Sequence, residues 1–118
     1  MPAIDEIARE FTAMLRDGRF EAAGDRFWAD DVASIEPAGI APIASGIAAA
    51  RRKCRARFGA RLIEDLGIDG PFVTGDQFVL FLDMVIVEPA SGRRQPFTEI
   101  ALYTVRGGQI AEERHFYD

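Results

Sequence analysis

An α+β fold, with three helices ahead of a mostly antiparallel sheet, is predicted by two features of this 118-residue sequence. Apolar residues recur at three- and four-residue spacing as far as Phe58, whereas beyond Arg61 they fall in extended runs broken by glycine and proline turns. No internal repeat, low-complexity tract or break in composition divides the chain, so residues 1–118 read as a single domain.

Ile4, Ile7, Ala8, Phe11 and Leu15 mark an amphipathic helix over residues 3–16 that stops at Gly18 in "RDGR". A second, shorter helix carries Phe20, Ala23 and Phe27. The segment "WADDV" then turns the chain into a short extended run, Val32 to Glu36, with Asp30-Asp31 serving as turn residues rather than metal ligands. Pro37 disfavours a helical conformation at Glu36 and so keeps the run extended. "PAGIAPIASG" reads as a loop, after which Ser45 is placed to cap a third helix bearing Ile47, Ala50, Cys54 and Phe58. Four extended runs follow, about 61–69, "TGDQFVLFLDMVIVEP", "RRQPFTEIALYTV" and "QIAEERHFYD", and they predict a four-strand meander.

Charge and composition exclude several classes. Nineteen acids against fourteen bases leave a net charge of −5, which argues against binding a nucleic-acid backbone. A lone cysteine and a lone histidine make a structural zinc site implausible, and no metal is expected. The opening "MPAIDEIARE" has acids where a secretory signal has bases, and no apolar stretch reaches about 18 residues, so a cytoplasmic protein without membrane contact is expected. No glycine pattern matches a phosphate loop or dinucleotide fingerprint, and no cofactor is expected. The run "RRKCRAR" spreads five charges around the C-terminal half of the third helix, where they complement its dipole, and reads as a solvated face. Cys54 falls on the apolar stripe of that helix as an inert thiol.

The last hairpin decides which acids meet. If "RGG" forms a three-residue loop with a glycine bulge, Val105 lies opposite Gln109, Glu99 opposite His115, and Ala101 opposite Glu113. Alternation then sends Glu99, Ala101, Tyr103, Glu113, His115 and Tyr117 to one face, and Ile100, Leu102, Ile110 and Phe116 to the other. A two-residue Gly107-Gly108 turn would instead set Glu99 against Phe116 and His115 against Ile100, separating the acid from the histidine. The first arrangement segregates polar from apolar residues better and is preferred. Asp83 interrupts the apolar run "FVLFLDMVIV", where a charge is costly unless paired or protonated, and is expected on the pocket side with Phe81, Val85 and Val87.

The order of elements, with "FWADDVASIEP" early and "LYTVRGGQIAEERHFYD" at the end, resembles the SnoaL-like branch of the nuclear-transport-factor-2-like superfamily over nearly the whole chain. The resemblance implies a curved, cone-shaped sheet wrapped around the three helices, an apolar pocket inside, and a homodimer through the outer sheet face. In the related ketosteroid isomerases a carboxylate base precedes a proline after the first strand, and Glu36 before Pro37 occupies that place. The two oxyanion donors of those enzymes match Phe11 and Ala101 here, and neither side chain donates a hydrogen bond. Losing one such donor typically costs about 3–4 kcal/mol of transition-state stabilisation, which argues against steroid isomerisation by that mechanism.

Two functions follow. The first is cofactor-free acid–base catalysis on a small apolar molecule, by isomerisation, aldol-type cyclisation or water addition as in a hydrolase. Glu36 would move the proton, with Asp83, Glu99 and His115 stabilising or relaying charge and Trp28, Cys54, Phe81, Tyr103, Glu113 and Tyr117 lining the pocket with Phe11 and Ala101. The second is a non-catalytic ligand-binding or dimeric scaffold protein, in which the acids form a satisfied network. An open cavity lined by Glu36 favours the first, and a cavity filled by side chains favours the second.

Overall fold

A computed structural model describes residues 3–59 and 61–118. Helix α1 (Ile4–Arg16) and helix α2 (Phe20–Phe27) lead directly into strand β1 (Trp28–Ile35). A two-residue strand β2 (Ala44–Ser45), helix α3 (Ile47–Cys54) and a π-helical turn (Arg55–Gly59) come next. Strands β3 (Leu62–Thr74), β4 (Gln77–Val87), β5 (Arg94–Arg106) and β6 (Gln109–Phe116) complete the chain as the expected meander. The six strands form one curled open sheet ordered β2-β1-β6-β5-β4-β3, antiparallel except where β1 runs parallel to β6. No helix among the described residues is long and apolar enough to cross a membrane.

The α1 stripe Ile7, Ala8, Phe11 and Leu15 is buried in the concave side of the sheet against Phe78, Leu80, Leu82 and Tyr103. Gly18, with φ +76°, lets the chain leave α1 by donating its amide to Leu15 O at 2.9 Å. The sheet bends where β3 carries two irregularities, between Glu64 and Gly67 and between Asp69 and Phe72. Arg16 at the end of α1 donates to the carbonyls of Ile68 and Gly70 there, so the first helix is tied to the bend that closes over it.

Three local expectations are corrected. Strand β1 starts at Trp28, and Asp30 and Asp31 are exposed residues of an irregular strand rather than a turn, because Trp28 already pairs with Ile110 and Val32 must bury its side chain. Ser45 does not cap α3. It pairs with Ala33 in β2, and the residue before the helix is Gly46 at φ +90°, whose amide bonds Val32 O at 2.7 Å. Asp83 and Phe81 face outward, away from the side of the sheet that the helices cover. Leu80 pairs with Ala101 and Leu82 with Glu99, so Leu80, Leu82 and Met84 fill the core and the charge of Asp83 stays in water, over Gly67 of β3.

The final hairpin differs from both readings. Arg106 pairs with Gln109 across a two-residue turn whose glycines have φ +58° and +79°. A bulge at Ala111 then shifts the register, because Val105 pairs with Ile110 but Thr104 with Glu112. Beyond the bulge Tyr103 pairs with Glu113 and Ala101 with His115, two residues along β6 from the partners the preferred reading gave them. The extra residue restores the face of every side chain that follows, so Glu99, Ala101, Tyr103 and Glu113 are buried while Ile100 and Phe116 are exposed. Ile110, on the turn side of the bulge, is buried instead of facing outward.

Gly24 in α2 is fully covered by the Trp28 ring, and a Cβ there would stand 2.2 Å from Trp28 Cζ2. The indole cannot retreat freely, since its Nε1 donates to Glu113 at 2.7 Å. Gly24→Ala is therefore expected to lose about 1–3 kcal/mol of stability to overpacking even though alanine favours helix by about 1 kcal/mol. Urea denaturation measures it, and a variant as stable as the parent would mean that the indole is not held in place.

Candidate functional site

Four segments meet at the open end of the curled sheet. The end of β1 brings Ser34 and Glu36, α3 and its π turn bring Lys53 and Arg57, β5 brings Glu99, and β6 brings Glu113 and His115. Arg57 falls seven residues after the buried Ala50 and three after Cys54, and the π turn, one residue wider per hydrogen-bonded ring than an α-helix, carries it over the mouth.

The polar groups close into a ring. Arg57 donates from Nη1 to Glu36 Oε1 at 3.1 Å and from Nη2 to Glu99 Oε2 at 2.9 Å. His115 lies between Glu99 and Glu113, with Nδ1 3.5 Å from Glu99 Oε2 and Nε2 3.3 Å from Glu113 Oε2. Glu113 also accepts from Trp28 Nε1 and from Ser34 Oγ, both at 2.7 Å. Lys53 Nζ donates to Ser34 Oγ and lies 3.5 Å from Glu36 Oε2, returning to the starting carboxylate. Two joints are looser than the rest. Glu36 Oε2 and His115 Nδ1 are buried within range of an opposite charge but make no hydrogen bond among the described residues.

Burial and pairing oppose each other throughout. Burial pulls the His115 pKa down, but hydrogen bonds to Glu113 and Glu99 and their charges outweigh it and raise it to about 9. Burial pushes Glu113 up, and the His115 bond and charge with the Trp28 and Ser34 bonds bring it to about 2. Glu99 is likewise lowered on balance, with burial opposed by His115 and Arg57. At neutral pH Glu99 and Glu113 are thus carboxylates on either side of the His115 imidazolium. Burial, followed by the charges of Glu113 and Glu99, holds the Tyr103 phenol well above its ordinary range. Burial and then Glu113 push the Cys54 thiol to about 11, so it stays protonated and poorly nucleophilic.

Arg57 and Lys53 stand between two spaces. Inside is a void of about 50 Å³, lined among others by Phe11, Trp28, Cys54, Tyr103, Glu113 and His115. Outside is a cleft of about 690 Å³ lined by Glu36, Phe97 and Tyr117. The Arg57 guanidinium lies over the rings of Phe97 and Tyr117, 4.6 and 4.8 Å from their centroids. Burial, and then the Glu36 charge, raises the Tyr117 pKa. Phe11 packs edge-on against Phe27, Phe78 and Tyr103, and Ala101 is completely buried, so the two positions that match oxyanion donors are core.

Among the expected site residues, Glu36, Glu99, Glu113 and His115 share one network, whereas Asp83 and Phe81 lie on the opposite side of the sheet. "RRKCRAR" is corrected in part: Arg51 and Arg55 form outer pairs with Asp25 and Glu21, but Lys53 and Arg57 turn inward. The helical spacing from Ala50 and Cys54 carried that signal. Ser34 had none. No group of three His, Cys, Asp or Glu side chains among the described residues is placed to hold a metal ion.

A model of the SnoaL-like domain family matches residues 3–117. A crystal structure from Mesorhizobium loti, described provisionally as a SnoaL-like polyketide cyclase (carbohydrate phosphatase), is 36% identical with a TM-score of 0.88, covering 98% of this chain and 100% of that one. A Burkholderia thailandensis protein described as NTF2-like is 19% identical with a TM-score of 0.82, covering 100% and 92%. An epoxide hydrolase from M. tuberculosis is 17% identical with a TM-score of 0.75, covering 97% and 84%. The last two share the fold. A search of curated proteins finds no match.

The His115 pKa is higher folded than unfolded, so its contribution to stability is complete below about pH 6.5 and disappears as pH rises to about 9. Glu113 works the other way, contributing fully above about pH 4.5 and nothing once pH falls through about 2. The parent protein is expected to exceed His115→Gln by about 3 kcal/mol near pH 6, with the gap closing by pH 9. Chemical denaturation across that range measures the difference, and a gap independent of pH would show that His115 is neutral in the folded protein.

Proposed function

Because the chain belongs to the SnoaL-like domain family, we propose that it catalyses cofactor-free proton transfer on a small carbonyl compound, with Glu36 as the base. One observation carries this reading: Glu36 is nearly buried, has an oxygen without a hydrogen-bond partner, and lines the open cleft. The resemblance to a structure described as a polyketide cyclase supports a substrate with acidic C–H bonds beside a carbonyl.

The step follows from the charges. Glu36 takes a proton from the carbon beside the carbonyl, the C–H electron pair becomes a carbon–carbon double bond, the C=O π pair moves onto oxygen, and an enolate forms. Negative charge has then moved from the carboxylate to the substrate while Arg57 and Lys53 remain within reach of both. These cations supply the stabilisation that Phe11 and Ala101 cannot. In an aldol-type cyclisation the enolate carbon attacks a second carbonyl, and Glu36 returns its proton to the new alkoxide. Binding in the outer cleft is required, because a void of about 50 Å³ is too small for such a substrate.

That small void, and the pairing of the acids, favour a second reading: a dimeric scaffold without turnover. A cross-strand row of exposed residues, Phe81, Ile100 and Phe116, supports a homodimer through the outer sheet face in either reading. Sedimentation analysis is expected to give a dimer that Ile100→Lys with Phe116→Lys splits; a monomeric parent would remove this assignment.

The parent protein is expected to speed deuterium uptake at the methyl group of aryl methyl ketones, acetophenone and 4-acetylbenzoate among them, followed by NMR in D₂O. Glu36→Gln should lose about 100-fold or more with an unchanged circular dichroism spectrum. Equal rates in parent and variant would exclude Glu36 as the base, and no uptake with the parent on any ketone would leave the scaffold reading.

A further inference from the structure

The outer cleft has a charge opposite to that of the chain. The protein carries a net −5, yet four cations, Lys53, Arg57, Arg61 and Arg93, line this cleft against two acids, Glu36 and Glu88. Two of the four are already engaged with Glu36, and Arg61 pairs with Glu88 at 3.4 Å. Arg93 is different. It stands exposed on the turn between β4 and β5, where the turn is closed by Glu88 N donating to Arg93 O at 2.9 Å and Arg93 N donating to Ser91 Oγ at 3.2 Å. The backbone at Arg93 is thus held by two hydrogen bonds where the residue lines the cleft. The cleft also has an apolar wall made by Ile86, Phe97 and Tyr117, with the last two rings edge to face at 5.1 Å.

We propose that the cleft selects aromatic carboxylates, with the carboxylate held at Arg93 and Arg61 and the body packed against Phe97 and Tyr117 toward Glu36. A carboxylate accepts two parallel bonds from a guanidinium, a geometry that an amide or ester of the same shape cannot match in charge. A phosphate dianion fits less well. The helical segment beside the cleft contributes Lys53, Ala56 and Arg57 from its C-terminal part, the end whose dipole disfavours anions, so attraction comes from side chains alone. This substrate class rests on the proposed proton transfer only for its chemical purpose, since the carboxylate is assigned to Arg93 and Arg61 and not to the two cations that Glu36 engages.

Binding is tested with 4-acetylbenzoate, neutral 4-acetylbenzamide and 4-acetylphenyl phosphate, by calorimetry on the parent protein, where reversible enolisation leaves the ligand unchanged and Lys53 and Arg57 keep their partner Glu36. The carboxylate is expected to bind about tenfold or more tightly than the amide, and to weaken as salt is raised. Arg93→Gln, at an exposed position, should cost the carboxylate about tenfold and leave the amide unchanged. Equal affinity for carboxylate and amide, tighter binding of the phosphate, no binding at all, or no effect of Arg93→Gln would each overturn the assignment. Selective carboxylate binding together with an absence of deuterium uptake in the parent would sink the catalytic reading and keep this one.

Discussion

The site depends on a closed electrostatic circuit: Glu36, Arg57, Glu99, His115, Glu113, Ser34 and Lys53, each touching the next. Buried charge is tolerated only when matched, and removing one partner of a buried pair typically costs about 3–5 kcal/mol. The circuit holds three acidic side chains and two basic ones, Arg57 and Lys53, besides the histidine. A third positive charge comes from His115, whose proton is held well above neutral pH. The same circuit fastens α3 to β1, β5 and β6 at the open end of the sheet, where strands alone would leave the mouth unsupported.

Arg57 also sets the size of the working space. By lying across the mouth it leaves a small void on one side and a large cleft on the other. With Phe11 in an aromatic cluster and Ala101 fully buried, the interior has become core, and its void of about 50 Å³ has no room for a ligand of substrate size. Polar groups able to act on a molecule therefore gather at the boundary. Glu36 reaches the cleft, whereas Glu99, Glu113 and His115 stay behind Arg57 and act on it only through their charge.

Much of the fold was legible because period and punctuation agree. The α1 stripe, the glycine stop at Gly18 and the four late runs each signal one element, and their order permits little else. The site was half legible. Acids announce themselves in apolar strands, but the same logic misplaced Asp83, since the cost of burying a charge argues first for the water side of β4. Lys53 and Arg57 were hidden by company: among five basic residues, direction on the helix matters more than composition, and only the spacing from Ala50 and Cys54 records it. Ser34 bridges Lys53 and Glu113 through contacts that arise from tertiary packing, so its own neighbours in the chain say nothing about it.

The hairpin shows how local and global constraints are reconciled. Gly107-Gly108 prefers a tight two-residue turn, and a regular ladder from that turn would point His115 and Glu113 into solvent, leaving Trp28 and Ser34 without their acceptor. A slip of one residue in β6, at Ala111, satisfies both. It preserves the turn, keeps Ile110 in the core on one side, and returns Glu113 and His115 to the interior on the other. Ladder regularity is given up at one small residue, where an unpaired step is cheapest, because the alternative is to open the charge circuit. The bulge is thus part of the site, although its own side chain does no chemistry.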